Sequence, residues 1–189
     1  MPGVASSRPL TAVLCAAFRP ADDAAIATVR DAAGAAGAHV PLAPAHRPHL
    51  TLAAARVAPG AELDAFVAVA AALADDQAPI PLLLDTLGCF DRGGVLWLGP
   101  AASAELMALQ RAATGAVRQQ GWADAFAPHT DPGQWVPHCT LARVRGRAVR
   151  RVRDRLMADF VAMPVVVSAL AVIEVGGRGD LALAALSGP

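Results

Sequence analysis

The chain has 189 residues, and its 16 basic and 16 acidic side chains give a formal charge of +0 at pH 7. Hydrophobic residues make up 55% of the sequence and charged residues 17%, a balance that excludes a disordered chain. No apolar run could span a bilayer without meeting a charge or a proline, and the neutral charge balance does not indicate nucleic-acid binding by itself. The length predicts one compact domain over residues 1–189.

The first half of the sequence alternates between strand and helix patterns. An apolar run at 10–18 predicts a strand, and the Ala-rich segment 20–37, with acids near its start, predicts a helix. A loop at 38–47 leads to a second strand near 48–55. Apolar residues at helical spacing then predict a helix at 61–75.

The second half continues this alternation with two strands, a helix, a loop, a strand, a helix and a final pair of strands. The order of elements is roughly that of one unit repeated twice, and no linker separates two independent domains. The predicted ranges are 79–90, 94–99, 100–120, 121–135, 136–144, 147–160, 164–175 and 181–186.

One short motif occurs twice in the chain. Pro-His-Leu-Thr-Leu-Ala at 48–53 returns as Pro-His-Cys-Thr-Leu-Ala at 137–142, once in each half. With 5 His in the sequence, chance predicts only about 0.2 His-x-Thr matches. A single copy is more simply interpreted as a strand whose His and Thr bond to each other or to the backbone. The pair of copies indicates a catalytic signature.

The spacing within each copy places an imidazole beside a hydroxyl. Since side chains alternate across a strand, His49 and Thr51 share one face, and so do His138 and Thr140. A neutral imidazole takes up a proton near pH 7, a protonated imidazole returns it, and a hydroxyl donates a hydrogen bond to an anionic oxygen. Two such pairs facing one cleft would supply a base, an acid and two oxygen-binding groups.

The paired motifs, together with the flanks Trp-Val-Pro-His-Cys-Thr-Leu-Ala-Arg of the second copy, resemble the 2H phosphoesterase superfamily. The likeness is to its bacterial branch of 2′-5′ RNA ligases and RNA 2′,3′-cyclic phosphodiesterases, and it spans most of the chain. The run Gly-Gly-Val-Leu-Trp-Leu-Gly-Pro at 93–100 resembles the strand that this family places between its motifs. The resemblance implies an α/β (α+β) fold in which two similar lobes of antiparallel-rich sheet, with outer helices and a pseudo-twofold relation, surround a central groove.

The same resemblance implies a metal-independent phosphodiesterase that hydrolyses 2′,3′-cyclic phosphates of RNA ends or small nucleotides. In-line attack by water requires a base and an acid on opposite sides of the phosphorus, which one histidine per lobe would provide. His49 and His138 are therefore the expected acid and base, and Thr51 and Thr140 the groups that bind the non-bridging oxygens. RNA-handling relatives commonly have an aromatic residue soon after the first motif, whereas this chain has alanines at 53–55.

Arg143 and Trp97 are expected to bind the substrate, again by resemblance. Regular alternation would put Arg143 on the face opposite Thr140, so a bulge or a strand end is needed to bring it to the phosphate. A Trp in an apolar strand is most often a core residue, but Trp97 in the groove could stack on a base or a ribose. Trp135 is expected to buttress the second motif. The Arg-rich segment 143–155 is either a solvated helix face or a patch that follows phosphates beside the groove.

We expect no cofactor and no metal, although the spacing His46-x-x-His49 leaves a metal-ligand pair as an alternative. The 3 Cys form no CxxC pair, which argues against a disulfide framework and favours the cytoplasm. The expected partner is a nucleotide or RNA-end substrate that carries a phosphate. We expect the protein to be a monomer and not to bind a membrane. Two alternatives stay open, a non-catalytic nucleotide-binding or phosphate-binding protein and a 2′-5′ RNA ligase activity.

Overall fold

The computed structural model describes residues 8–39, 46–144 and 148–189, and all statements below concern these residues. None of the described helices has the length and apolar character needed to span a bilayer. The helices and strands occur in this order: β1 (Leu10–Phe18), α1 (Pro20–Ala35), β2 (His49–Val57), α2 (Ala61–Asp75), β3 (Ile80–Phe90), β4 (Val95–Pro100), α3 (Ala104–Gln119), β5 (Cys139–Arg143), α4 (Ala148–Met157), β6 (Met163–Glu174) and β7 (Asp180–Ala185).

These elements match the predicted order, and most of their bounds differ from the predicted ones by a few residues. The strand of the second motif begins at Cys139 and not at 136. Pro137 has no backbone N–H, so it cannot donate to the strand ladder at this point. Parts of the predicted 38–47 loop and the predicted start of the fourth helix, at 40–45 and 147, lie outside the described residues.

The strands form one antiparallel sheet in the order β2-β1-β6-β3-β4-β5, with β7 also paired to β6. Strand β6 is long enough to serve both halves of the sheet. Its first part, 163–167, pairs with β3, and its later part, 169–173, pairs with β7. Strand β1 pairs with β6 along the other edge. The two halves are therefore continuous through the hydrogen bonds between β3 and β6.

A repeated unit accounts for this topology, and the predicted fold class is confirmed. The first copy is β1-α1-β2-α2-β3 and the second is β4-α3-β5-α4-β6. In each copy the first two strands pair with each other. The third strands are exchanged, since β3 pairs with β4 and β6 pairs with β1. This exchange explains why the two lobes are halves of one sheet.

The helices cover one face of the sheet and are exchanged in the same way. Helix α1 contacts β5 and α4, whereas α3 contacts β2 and α2, so each packs on the half built by the other copy. The main core lies between these helices and the sheet and includes Leu14, Phe18, Leu52, Leu98 and Leu141, all fully buried. A second, smaller cluster lies on the opposite face of β1, β2 and β6. It consists of Val13, Cys15, Ala17, Ala54, Ala169, Ala171 and Ile173, with Ala125 and Phe126 packed against them.

Candidate active site

The two motif strands lie at opposite ends of the strand order and still come together. Strands β2 and β5 contact each other, which requires the sheet to curve so that its edges approach. The Cys139 thiol lies at the backbone of His49, and the charge on His138 is one of the causes that lower the pKa of His49. The fold therefore brings both His-x-Thr motifs to one place, although their histidines are 89 positions apart in the chain.

The segments that precede the motifs cross between the two strands. The Ala125 N–H, ahead of the second motif, donates to the Ala54 carbonyl of β2 at 3.0 Å. His39, ahead of the first motif, exchanges two backbone hydrogen bonds of 2.8 and 3.0 Å with Arg143 of β5. Each motif strand is thus paired along its outer edge with the segment that leads into the other motif.

Both motif strands carry a β-bulge at the same position. The extra residue is the leucine that follows the threonine, Leu52 in β2 and Leu141 in β5. In each strand this leucine and the alanine after it both belong to the main core, while the threonine stays on the other face. The registers that define the bulges pair Cys15 with Thr51, Leu14 with Ala53, Trp97 with Thr140 and Leu96 with Ala142.

The bulge in β5 decides the direction of Arg143. Arg143 pairs with Val95, and Thr140 pairs with Trp97, two residues further along β4. Positions two apart on β4 share a face, so the side chains of Thr140 and Arg143 share a face as well. Both side chains are exposed. A contact between Arg143 and the phosphate is expected to need a bulge or a strand end, and β5 has such a bulge.

Each imidazole is held by a hydrogen bond of the same kind, from Nδ1 to the backbone carbonyl two residues earlier. His49 Nδ1 lies 2.7 Å from the Arg47 carbonyl oxygen, and His138 Nδ1 lies 2.8 Å from the Val136 carbonyl oxygen. A carbonyl oxygen only accepts hydrogen bonds, so Nδ1 carries the hydrogen in both rings. This leaves Nε2 of each ring available to take up or release a proton.

Burial lowers the pKa of both histidines. The pKa of His49 falls to about 4, mainly because the ring is desolvated, with smaller contributions from the charges of His46, Arg30 and His138. Desolvation also lowers the pKa of His138, with a smaller contribution from His129. Both rings are therefore neutral near pH 7, and an anion bound between them would favour protonation of either one.

Charged side chains surround the first motif. Arg30 of α1 donates from Nη2 to the Thr140 carbonyl at 3.0 Å, so this helix residue joins the surroundings of both motifs. The guanidinium of Arg47 forms ion pairs with Asp23 at 3.5 Å and with Asp180 at 3.6 Å. Burial raises the pKa of Asp23 to about 6, against the opposing effects of Arg47 and Arg30.

Aromatic side chains surround the second motif. The His138 ring lies 4.9 Å from the ring centre of Phe90 and 6.2 Å from that of Trp97, edge-on in both cases. Phe90 and Trp97 also contact each other, with ring centres 5.3 Å apart. Two glycines make room for the indole, because a Cβ atom at Gly88 or at Gly99 would collide with the Trp97 ring. The half-buried Trp97 therefore lies over backbone and reaches the site.

Trp135 has a different place from the expected one. It is buried, and its indole Nε1 donates to the Thr51 carbonyl at 2.8 Å. The residue precedes the second motif in the chain but supports the strand of the first motif, and so ties the two together. The prediction identified the right residue as a buttress but could not identify this partner.

Most arginines of helix α4 form ion pairs or hydrogen bonds with other groups of the same chain. Arg150 pairs with Asp91, Arg153 with Asp154, and Arg155 donates to the Ala36 carbonyl. These contacts favour the interpretation of a solvated helix face. Residues 145–147 of the same segment lie outside the described residues.

Within the described ranges, no three His, Cys, Asp or Glu side chains are grouped as metal ligands. The rings of His46 and His49 are 6.5 Å apart between centres, and their Nδ1 atoms bond to different carbonyls, those of Gly179 and Arg47.

Cys139 is fully buried in the main core, and burial raises the pKa of its thiol to about 11. At this position Cys139 packs as a small apolar residue.

Four residues near the motifs have no clear signal in the sequence. Phe90 is the last residue of β3, and its position two residues after Gly88 is the only feature of the sequence that could have indicated it as a site residue. Arg30 is an isolated cation in an Ala-rich helix, and Asp23 resembles an ordinary helix-start acid. Arg47 comes from a loop, and its partners are far away in the sequence.

Comparison with known proteins agrees with this fold. The model of the 2′-5′ RNA ligase superfamily matches residues 18–179. The solved structure of E. coli LigT in apo form shares 20% identity with the chain at a TM-score of 0.68, covering 96% of this chain and 99% of LigT. The protein TT0787 of Thermus thermophilus shares 20% identity at a TM-score of 0.64, covering 95% of this chain and 99% of TT0787.

A further similar structure is E. coli LigT complexed with 3′-AMP, with 22% identity, a TM-score of 0.61, and 95% and 99% of the two chains covered. At these identities the structures show a shared fold. No curated protein matches the chain. Because the family model spans most of the sequence, the protein belongs to the 2′-5′ RNA ligase superfamily of 2H phosphoesterases.

Proposed function

We propose that the protein is a metal-independent cyclic phosphodiesterase, which hydrolyses 2′,3′-cyclic phosphates of RNA ends or small nucleotides with two histidines as acid and base. One observation carries this proposal: two imidazoles from opposite ends of the strand order come together, each with Nδ1 bonded to the carbonyl two residues earlier. The similar protein LigT has been solved in complex with 3′-AMP, with phosphate and with ATP, which supports a phosphate-bearing nucleotide as the ligand.

The reaction needs one proton removed and one proton supplied. The neutral Nε2 of one histidine takes a proton from water as the water oxygen attacks phosphorus. The protonated Nε2 of the other histidine gives its proton to the ribose oxygen as the bond from phosphorus to that oxygen breaks. The product is a ribose phosphomonoester, and the two imidazoles return to their starting protonation through exchange with solvent.

The low pKa values of both rings fit this cycle. In the free protein both rings are neutral near pH 7, so a base is always available. The negative charge of the cyclic phosphate favours protonation of one ring once the substrate is bound. Binding of the substrate thus produces the protonated histidine that acts as the acid.

The threonines and Arg143 would hold the phosphate oxygens. Thr51 and Thr140 share faces with His49 and His138, and their hydroxyls would donate to the non-bridging oxygens, where negative charge collects during the reaction. Arg143 lies on the Thr140 face and would add a charge-assisted hydrogen bond. The base or ribose of the substrate would lie against Trp97, which is in contact with Phe90 beside the second motif.

The direct test replaces His49 and His138 singly with alanine. Cyclic mononucleotides and oligonucleotides that end in a cyclic phosphate are assayed with product identification, and circular dichroism checks the fold. Each substitution should lower kcat about 10²- to 10⁴-fold, which is the usual contribution of general acid–base catalysis. The double variant should be little worse than either single variant, because the two groups act in one step.

Other results would point to the alternatives. Turnover retained in both single variants contradicts the two-histidine mechanism. Tight nucleotide binding with no product in the wild-type protein would favour a non-catalytic nucleotide-binding protein. Joined oligonucleotides as the main product would favour 2′-5′ RNA ligase activity.

A further inference from the structure

The carbonyl that holds His49 belongs to a residue whose side chain is itself fixed. Arg47 lies between two carboxylates, Asp23 of α1 at 3.5 Å and Asp180 of β7 at 3.6 Å. The exposed fractions of the three side chains are 23%, 17% and 22%, so the group is mostly shielded from water. Ion pairs with such limited exposure are screened less than surface pairs.

A neighbouring residue adds a further contact between the same segments. His46 Nδ1 lies 3.3 Å from the Gly179 carbonyl, in the turn that leads to β7. The residues just before the first motif are therefore joined to α1 through Asp23, to β7 through Asp180 and to the β6–β7 turn through Gly179. The side chains of both His46 and Arg47 are thus bonded to other parts of the fold.

The residue at the equivalent place before the second motif has an uncharged side chain, which cannot form an ion pair. The carbonyl that holds His138 belongs to Val136, whose side chain is 44% exposed. Its neighbour Trp135 is fixed instead, through the indole bond to the Thr51 carbonyl and a backbone bond to the Asp131 carbonyl, both of 2.8 Å. The two carbonyls serve the same purpose, but they are held by different means.

We infer that Arg47 is a positioning residue for His49, because its ion pairs with Asp23 and Asp180 fix the backbone carbonyl that orients the imidazole. This inference rests on the proposed role of His49. Arg47 does not touch the reacting atoms and acts only through the Nδ1 bond. Without the two ion pairs the carbonyl would move, and Nε2 would lose its direction toward the phosphate.

Substitution of Arg47 tests the inference cleanly, since every variant keeps the carbonyl and changes only what holds it. The variants are Arg47→Gln, Arg47→Lys and Asp180→Asn. Arg118→Gln is the matched control, because it also removes an ion pair, that of Arg118 with the exposed Asp131. The measurements are ring ¹⁵N spectra of both histidines at pH 7.5, kcat and KM with a 2′,3′-cyclic mononucleotide, and the melting temperature.

Arg47→Gln should shift the ring ¹⁵N signals of His49 away from the pure Nδ1–H tautomer and leave those of His138 unchanged. It should lower kcat about 10-fold while KM changes by less than about 2-fold, because the ring is misdirected and the phosphate contacts remain. Arg47→Lys keeps a cation between the carboxylates and should restore most of the kcat. Asp180→Asn should lower kcat about 3-fold, and Arg118→Gln should match the wild type.

Two results would overturn the inference. One is an Arg47→Gln variant with wild-type His49 signals. The other is an equal disturbance of His49 and His138 with a large fall in melting temperature, which would indicate a general structural role. A wild-type protein that turns over no cyclic phosphate would contradict the proposed function alone, since the ring spectra report on Arg47 without any substrate.

Discussion

The strand of the first motif and the strand of the second motif have the same bulge after the threonine and the same bond from Nδ1 to the carbonyl two residues earlier. Their surroundings differ. Arg47, whose carbonyl bonds to His49, is paired with Asp23, whereas Phe90 and Trp97 lie against His138. The duplicated backbone arrangement supplies the two equivalent imidazoles that the proposed chemistry needs. The side chains around the imidazoles have diverged: Arg47, next to the first motif, is paired with carboxylates, whereas aromatic rings lie against His138.

The threonines test whether both halves bind phosphate oxygens. Thr51→Val and Thr140→Val should each lower kcat about 100-fold, because each removes one donor to a developing negative charge. Thr→Ser at either position keeps the hydroxyl and should stay within about 3-fold of the wild type. Steady-state kinetics on a cyclic mononucleotide measures the effect. A Thr51→Val variant with wild-type kcat would show that only the second motif binds an oxygen.

Arg143 tests a difference that the shared bulge creates. The position three residues after the threonine is Arg143 in the second motif and Ala54 in the first, so only the second motif has a cation at this place. Arg143→Gln should raise KM about 10-fold, since a charge-assisted hydrogen bond contributes about 1.5 to 3 kcal/mol. Arg143→Lys should recover part of the loss. An unchanged KM, and an unchanged salt dependence of KM, in Arg143→Gln would exclude a phosphate contact.

Trp97 tests the aromatic surface of the second half. Trp97→Leu should raise KM by about 10-fold and reduce discrimination between bases, because stacking on an aromatic side chain contributes about 1 to 3 kcal/mol. The control is Trp122→Leu, which removes an indole that packs against Phe66 in the main core. That variant should lower the free energy of unfolding and leave KM unchanged. Equal KM values in both variants would argue against base stacking at Trp97.

The smallest effect concerns acid pH. Both histidines have lowered pKa values in the folded protein, and that of His49 is about 4. Their unfolded value is about 6.5, so the unfolded chain binds protons first and the free energy of unfolding falls as pH decreases from about 6.5 toward 4. Urea unfolding across this range measures the fall, and His49→Gln should reduce it. A wild-type stability that does not change over the range would contradict the burial of these rings.

Much of the fold could be predicted because the patterns that define it are local. Apolar periodicity located the helices and strands to within a few residues, and Pro20 and the acids after it predicted the start of α1 correctly. The repeated six-residue motif identified the two histidines and two threonines that the sheet brings together. Resemblance to a family supplied Trp97 and Arg143, which alternation alone would have placed in the core and on the wrong face.

The amino-acid sequence alone identified which residues carry the proposed chemistry and that they occur twice, because a six-residue motif and its alternation are short-range properties. Tertiary packing determined which groups that are distant in the sequence come into contact. Curvature of the sheet brings β2 to β5, a bulge turns Arg143 to the Thr140 face, and the exchange of helices places Arg30 beside the other half. These contacts join residues far apart in the chain, and they depend on the arrangement of the complete sheet, which no local pattern encodes.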